Sequence, residues 1–281
     1  MIKPLLSALI LTLSTLVISQ DLPKLSPLSK SENTVGLTKI SLEYSRPSVR
    51  GRVIFGELVP YNEVWRLGAN APSKFTCSSD VLFPSANNAV LPAGTYAVFA
   101  FPSEDKKWKI VFNSDTEQWG AGNYDSLKNI VTVQVTAQDC QHTESLLMEI
   151  NEINTSGASL IIAWDKLKVT IPFTVDTDAL AQKNIDAAIA EGKDLDKVYA
   201  SAANYYFNIK NDLATSLDYI NKSIELNKSY SNVFLKARIL YAQGDKKEAL
   251  KLGKEASALA EEAGKDTWVD YINETISSWK D

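Results

Sequence analysis

Histidine is nearly missing from this chain: His142 is the only one in 281 residues, beside two cysteines and two methionines. With one imidazole and no Gly-x-Ser-x-Gly turn, no Ser-His-Asp or Cys-His set can be assembled from the sequence. Metal chemistry has a single candidate trio, Cys140, His142 and Glu144, whose alternating positions would share one face of a strand. Its spacing matches no zinc site and a polar strand edge is the plainer reading, so neither a metal nor a cofactor is expected. Gly51, Gly56 and Gly68 do not form the run that cradles phosphate ahead of a helix. Basic residues are not in excess: 29 Lys and Arg against 34 Asp and Glu give a net charge of -5, without the basic stripe that nucleic acid requires.

Long apolar runs are also scarce. The one that exists, Leu5 to Ile18, is shorter than the roughly 20 residues of a spanning helix. With Lys3 ahead of it and Ser19-Gln20 behind, residues 1–20 read as a cleavable signal peptide. Export follows, to the periplasm or the medium, with no membrane span after cleavage and no cysteine at the segment's end to carry lipid. In an oxidising compartment Cys77 and Cys140 could form a disulfide if their Cα atoms approach within about 7 Å. The alternative is that each is a small buried hydrophobe in a strand.

A chain of this length implies two domains. Residues 21–31, rich in Pro and Ser, read as an extended lead-in, and residues 32–176 as a β domain. Ile40, Leu42 and Tyr44 alternate with Lys39, Ser41 and Glu43, the period of a half-buried strand. Further strands are expected at 74–77, 96–101, 107–113, 130–137, 146–153, 159–164 and 168–175, parted by turn signals such as Asn87-Asn88, Pro92-Ala93-Gly94, Ser156-Gly157 and Asp165-Lys166. The run Tyr96 to Phe101 is apolar on both faces and should be central. Many short strands without a helix among them predict an antiparallel β-sandwich or a barrel.

From Asp178 onward proline vanishes and apolar residues recur at helical intervals, so residues 177–281 read as an all-α domain. Asp176 or Asp178 would cap a first helix, 179–190, stopped at Gly192. Setting Asn211-Asp212 over Gly244-Asp245 gives an offset of 33 residues that also superposes Ser216 on Ala249 and Ser223 on Ala256. That resembles a tetratricopeptide-type pair, with repeats over 197–229 and 230–262 and a last helix at 267–279. The resemblance departs at Asn204, where a glycine would be usual, and no proline closes either unit.

The chemistry concentrates in Tyr44 to Asn70, YSRPSVRGRVIFGELVPYNEVWRLGAN, which mixes forked cations, flat rings and Gly/Pro punctuation in a way no core strand does. The order Tyr-Ser-Arg-Pro, Gly-Arg, Ile-Phe-Gly, Leu-Val-Pro-Tyr, Trp-Arg, Gly-Ala-Asn, resumed at Leu91 to Tyr96 and at Trp119-Gly120, resembles the bacterial family catalogued as domain of unknown function 2911. The resemblance covers roughly Leu25 to Val175. It implies an exported module and brings no catalytic residue with it. Where the family runs Glu-Ala-Thr, this chain has Ala71-Pro72-Ser73, which weighs against a shared carboxylate enzyme.

Recognition is the function these residues suggest. Arg46, Arg52 and Arg66 have planar forks suited to carboxylate or phosphate, while Tyr61, Trp65, Trp119 and Tyr124 offer flat faces with polar tips and Asn70 an amide. They are the candidate ligand-binding residues, for an anionic or sugar-like ligand or a partner protein. The competing reading makes the same arginines and rings fasteners of long loops. Two other functions stay open: an envelope hydrolase using acids among Glu57, Glu63, Asp80 and Asp125, and a purely structural scaffold.

Overall fold

The structure is a computed structural model and describes residues 22–118 and 120–279; the expected signal peptide lies outside the described residues. The chain divides into two compact units, one ending at Asp176 and the other beginning at Thr177.

The described residues of the first unit form ten strands in two antiparallel sheets that do not close into a barrel. One sheet has the order β1 (Leu28–Val35), β2 (Thr38–Ser45), β3 (Ser73–Cys77), β6 (Gly94–Phe101), β7 (Lys107–Asn113) and β8 (Asn129–Thr136). The other has the order β5 (Ala89–Leu91), β4 (Val81–Phe83), β10 (Gly157–Val175) and β9 (Gln138–Asn151). β1 begins at Leu28, inside the stretch read as an extended lead-in. It is an edge strand that buries only Val35, so no apolar period marks it. A second correction concerns Asp165-Lys166, which is not a turn. β10 runs on through it for 19 residues, and register shifts against β9 around Asp165 mark a bulge in which Asp165 takes φ +51°.

The inward residues follow strand alternation. Ile40, Leu42, Phe75, Val98, Ile110 and Phe112 meet Phe83, Leu160, Ile162, Ile171 and Phe173 in one core. Phe112 packs on Phe83 and, edge to face, on Phe75. Each such side chain, fully buried, stabilises the fold by roughly 1.5–3 kcal/mol. β6 is central, between β3 and β7, and it is covered on its outer face as well, where Ala97 and Phe99 lie under Val64 and Tyr124.

The second unit consists of α1 (Thr177–Glu191), α2 (Leu195–Asn208), α3 (Leu213–Leu226), α4 (Tyr230–Gln243), α5 (Lys246–Glu262) and α6 (Asp266–Ser278). The 33-residue offset falls on equivalent atoms. Asp212 and Asp245 each cap a helix by accepting from the backbone N–H three residues on. Ser216, Ser223, Ala249 and Ala256 are all fully buried at helix contacts. The two serines satisfy their hydroxyls across the contact, Ser216 donating to the Ala203 carbonyl and Ser223 to that of Asp196, both at 2.7 Å. Among the described residues no helix is long and apolar enough to cross a membrane.

Candidate ligand-binding site

β2 does not end its work at Ser45. The chain leaves the six-stranded sheet there and crosses to the other, where Val49 N–H donates to Glu144 O at 2.7 Å and Leu146 N–H to Pro47 O at 2.9 Å. A seam between the sheets results. Arg50 and Gly51 then turn with φ of +50° and +68°. The chain next meets the edge of β6, where Trp65 exchanges two 2.8 Å hydrogen bonds with Ala100. Ser73 resumes the same strand line opposite Val98. The residues between them are pinched out as a loop, closed by Ser73 N–H donating to Arg66 O at 3.2 Å and Ser73 Oγ to Leu67 O.

These two excursions enclose a cavity of about 310 Å³ whose lining includes Arg50, Arg52, Trp65, Arg66, Gly68 and Trp164. Arg50 and Arg52 are exposed, so the cavity opens to solvent. Trp164 comes from beside the β10 bulge and stacks on Trp65 with ring centroids 5.7 Å apart and planes at 17°. The pair forms an apolar inner wall, Trp65 being 8% and Trp164 2% exposed.

The four arginines of the segment, out of five in the chain, divide by what their guanidiniums touch. Arg46 donates from Nε to Leu146 O at 2.9 Å, tying the end of β2 to β9. Arg52 folds back on its own turn, donating to Val49 O at 3.0 Å and Ser48 O at 2.6 Å. Arg50 donates from Nη2 to Leu25 O at 3.0 Å. The buried Nε–H of Arg66 has no partner among the described residues. The indole N–H of Trp164 is likewise buried and unpartnered. Among the described residues no ion pair joins any of the four arginines to a carboxylate.

The other candidates lie elsewhere. Tyr61 packs beside Gly56, and Asn70 donates to Ser45 Oγ at 3.1 Å. Tyr124 sits on the outer face of β6 against Phe99 and Phe101, with its hydroxyl bonded to Asn129, so it belongs to a separate cluster. Trp119 lies outside the described residues. Cys77 and Cys140 are free thiols on strands of different sheets, not a disulfide. Cys77 donates to Pro92 O, and burial pushes its thiol up. Of the acids, Asp80 and Asp125 accept backbone N–H groups of turns, at Ala93 and Leu127, while Glu57 and Glu63 are exposed; none lines the cavity.

Both ring nitrogens of His142 face carboxylates: Nδ1 lies 3.0 Å from Asp165 Oδ1 and Nε2 3.1 Å from Glu144 Oε2. Only the imidazolium can donate to both, and these contacts hold the His142 pKa above its ordinary value. Glu144 in turn accepts the Arg50 backbone N–H at 3.0 Å, which with His142 holds its carboxyl below the usual range. Stability from the imidazolium is therefore fully present below about pH 6.5, the unfolded value, and is lost as pH rises through the raised folded value. His142→Asn is expected to lower the melting temperature near pH 6 and to match the parent protein at high pH; a difference independent of pH would contradict this.

Two residues of the site were not singled out from sequence. Arg50 stood within the segment, and the Gly51 that follows it is the only local sign of its turn. Trp164 carried no local signal, since it reaches the cavity only through the pairing of distant strands.

The sequence profile of the family described as Protein of unknown function (DUF2911) matches residues 26–173, just over half of the chain. No curated protein and no solved structure matches the chain.

Proposed function

This chain belongs to the DUF2911 family, and from that premise we propose that its β unit is an exported binding module whose arginine-lined cleft holds a small anionic ligand. The observation that carries the reading is Arg66, in a cavity wall with its buried Nε–H unpartnered among the described residues, beside Arg50 and Arg52, whose guanidiniums donate to backbone carbonyls. A buried donor left unpaired costs about 1–3 kcal/mol, so an arrangement of this kind asks for an acceptor from outside. An oxyanion supplies charge and lone pairs together.

A sugar-like ligand is supported less well. Sugars stack on open ring faces, whereas Trp65 and Trp164 turn their faces to each other. A hydrolase has no support from the placement of Glu57, Glu63, Asp80 and Asp125. The helical unit, with its repeated helix pairs, is the part we assign to contact with another protein.

Titration of the purified chain with inorganic phosphate, followed by amide and arginine Nε–H nuclear magnetic resonance, tests the reading. Saturable shifts are expected at Arg66, Gly68 and Ala69, in the millimolar range of about 4 kcal/mol binding. Chloride at equal ionic strength should leave them in place. Shifts that grow linearly with salt, or that fall on surface lysines instead, would sink the proposal.

A further inference from the structure

The opening of the cleft carries apolar side chains beside its exposed arginines. Leu25 and Leu58 both line the cavity and yet are 74% and 45% exposed. Val53, next to Arg52, is 55% exposed and accepts the Leu58 backbone N–H, which places those two side by side. Single exposed apolar residues are ordinary; two in the lining of one opening that also holds three arginines, with Val53 bonded to one of them, are a patterned surface.

Size sharpens the point. At about 310 Å³ the cavity stands at the bottom of the range for small-molecule sites. That is room for a charged head and the first few carbons of a ligand. Anything longer must leave by the mouth, across Leu25 and Leu58. Inside, the lining includes the paired indoles and Val59, surface that suits methylenes, together with Ser26 and Ser48.

We propose that the ligand is an anionic amphiphile: an oxyanion head held by Arg66 with Arg50 and Arg52, and a single aliphatic chain that runs along Trp65 and out over Leu25 and Leu58. This rests on the anion-binding reading and adds the ligand's second half. Charge complementarity selects the head, and the apolar mouth selects the chain.

Calorimetry with inorganic phosphate and with butyl, hexyl and octyl phosphate, each below its micellar concentration, separates the two claims. Affinity should climb along the series, by up to about fourfold per methylene where burial is complete. Octanol, lacking the charge, should not bind. Leu25→Ser and Leu58→Ser, at exposed positions where folding is not at stake, should flatten the climb from phosphate to octyl phosphate; an unaltered climb in both would overturn the proposed path of the chain. Equal affinity for phosphate and octyl phosphate would overturn the amphiphile while leaving the anion site standing. Octanol binding as tightly as octyl phosphate would also overturn it, reducing the mouth to a greasy patch. No response to any phosphate would overturn both readings together.

Discussion

Gly68→Ala is expected to destabilise the β unit by about 3 kcal/mol, the combined order of a strained backbone and an overpacked site. Gly68 has φ of +149°, and a Cβ there would stand 2.8 Å from the Ser45 carbonyl oxygen. That oxygen is backbone at the end of β2, where the chain departs for β9, so it cannot swing away as the tip of a side chain would. Either β2 moves or the pinched loop does, and the loop carries Arg66. Gly51→Ala is the control: φ is +68°, nothing lies within 4 Å of the added atom, and only the left-handed backbone cost of about 1–2 kcal/mol applies. Urea unfolding of the two variants should separate them clearly. Equal midpoints would mean that the close approach of Gly68 to β2 is not what holds the loop.

Much of this architecture could be read from residues before any coordinates. β2 and the later half of β10 announce themselves by alternation, because one face is buried and the other is wet. The helix pairs announce themselves by Asp212 and Asp245 as caps and by small residues at the contacts, both local consequences of helix geometry. What escaped notice had no local cause. β1 is exposed along nearly its whole length, and its partner β2, not its own pattern, makes it a strand. The first half of β9 is polar for the same reason, and the bulge in β10 looks like a turn because Asp165-Lys166 has turn composition.

The site divided along the same line. The segment Tyr44 to Asn70 stood out by composition, and Arg52, Trp65 and Arg66 do meet at one cavity. Tyr124 does not, because it packs on Phe99 and Phe101 on the far face of β6, and a strand's two faces are told apart only once the sheet is assembled. Composition could not sort the arginines either. Whether a guanidinium is a fastener or a free donor depends on which carbonyls the fold brings within 3 Å, and that is decided by the crossing of β2 to β9.

This sorting gives the account its sharpest consequence. Arg46 is bonded across the two sheets, so Arg46→Met should cost about 1.5–3 kcal/mol, the range for a hydrogen bond to a charged group. Arg66 has no such bond to lose among the described residues. Arg66→Met removes a buried donor without a partner and keeps the length and apolar stem of the side chain, so stability should be unchanged or higher by up to about 1 kcal/mol. Binding should respond in the opposite sense, since a charge-assisted contact of 1.5–3 kcal/mol corresponds to a loss of roughly 10- to 150-fold. A residue kept for function at the expense of the fold has this signature, and a structural arginine has the reverse.

The decisive measurement is therefore made on Arg66→Met with two readouts, unfolding free energy from urea and affinity for octyl or inorganic phosphate. A protein at least as stable as the parent that has lost at least tenfold in phosphate affinity is the predicted result, about 1.4 kcal/mol of binding. A destabilised protein that binds phosphate as before would make Arg66 a fastener of its loop and contradict the anion-binding cleft.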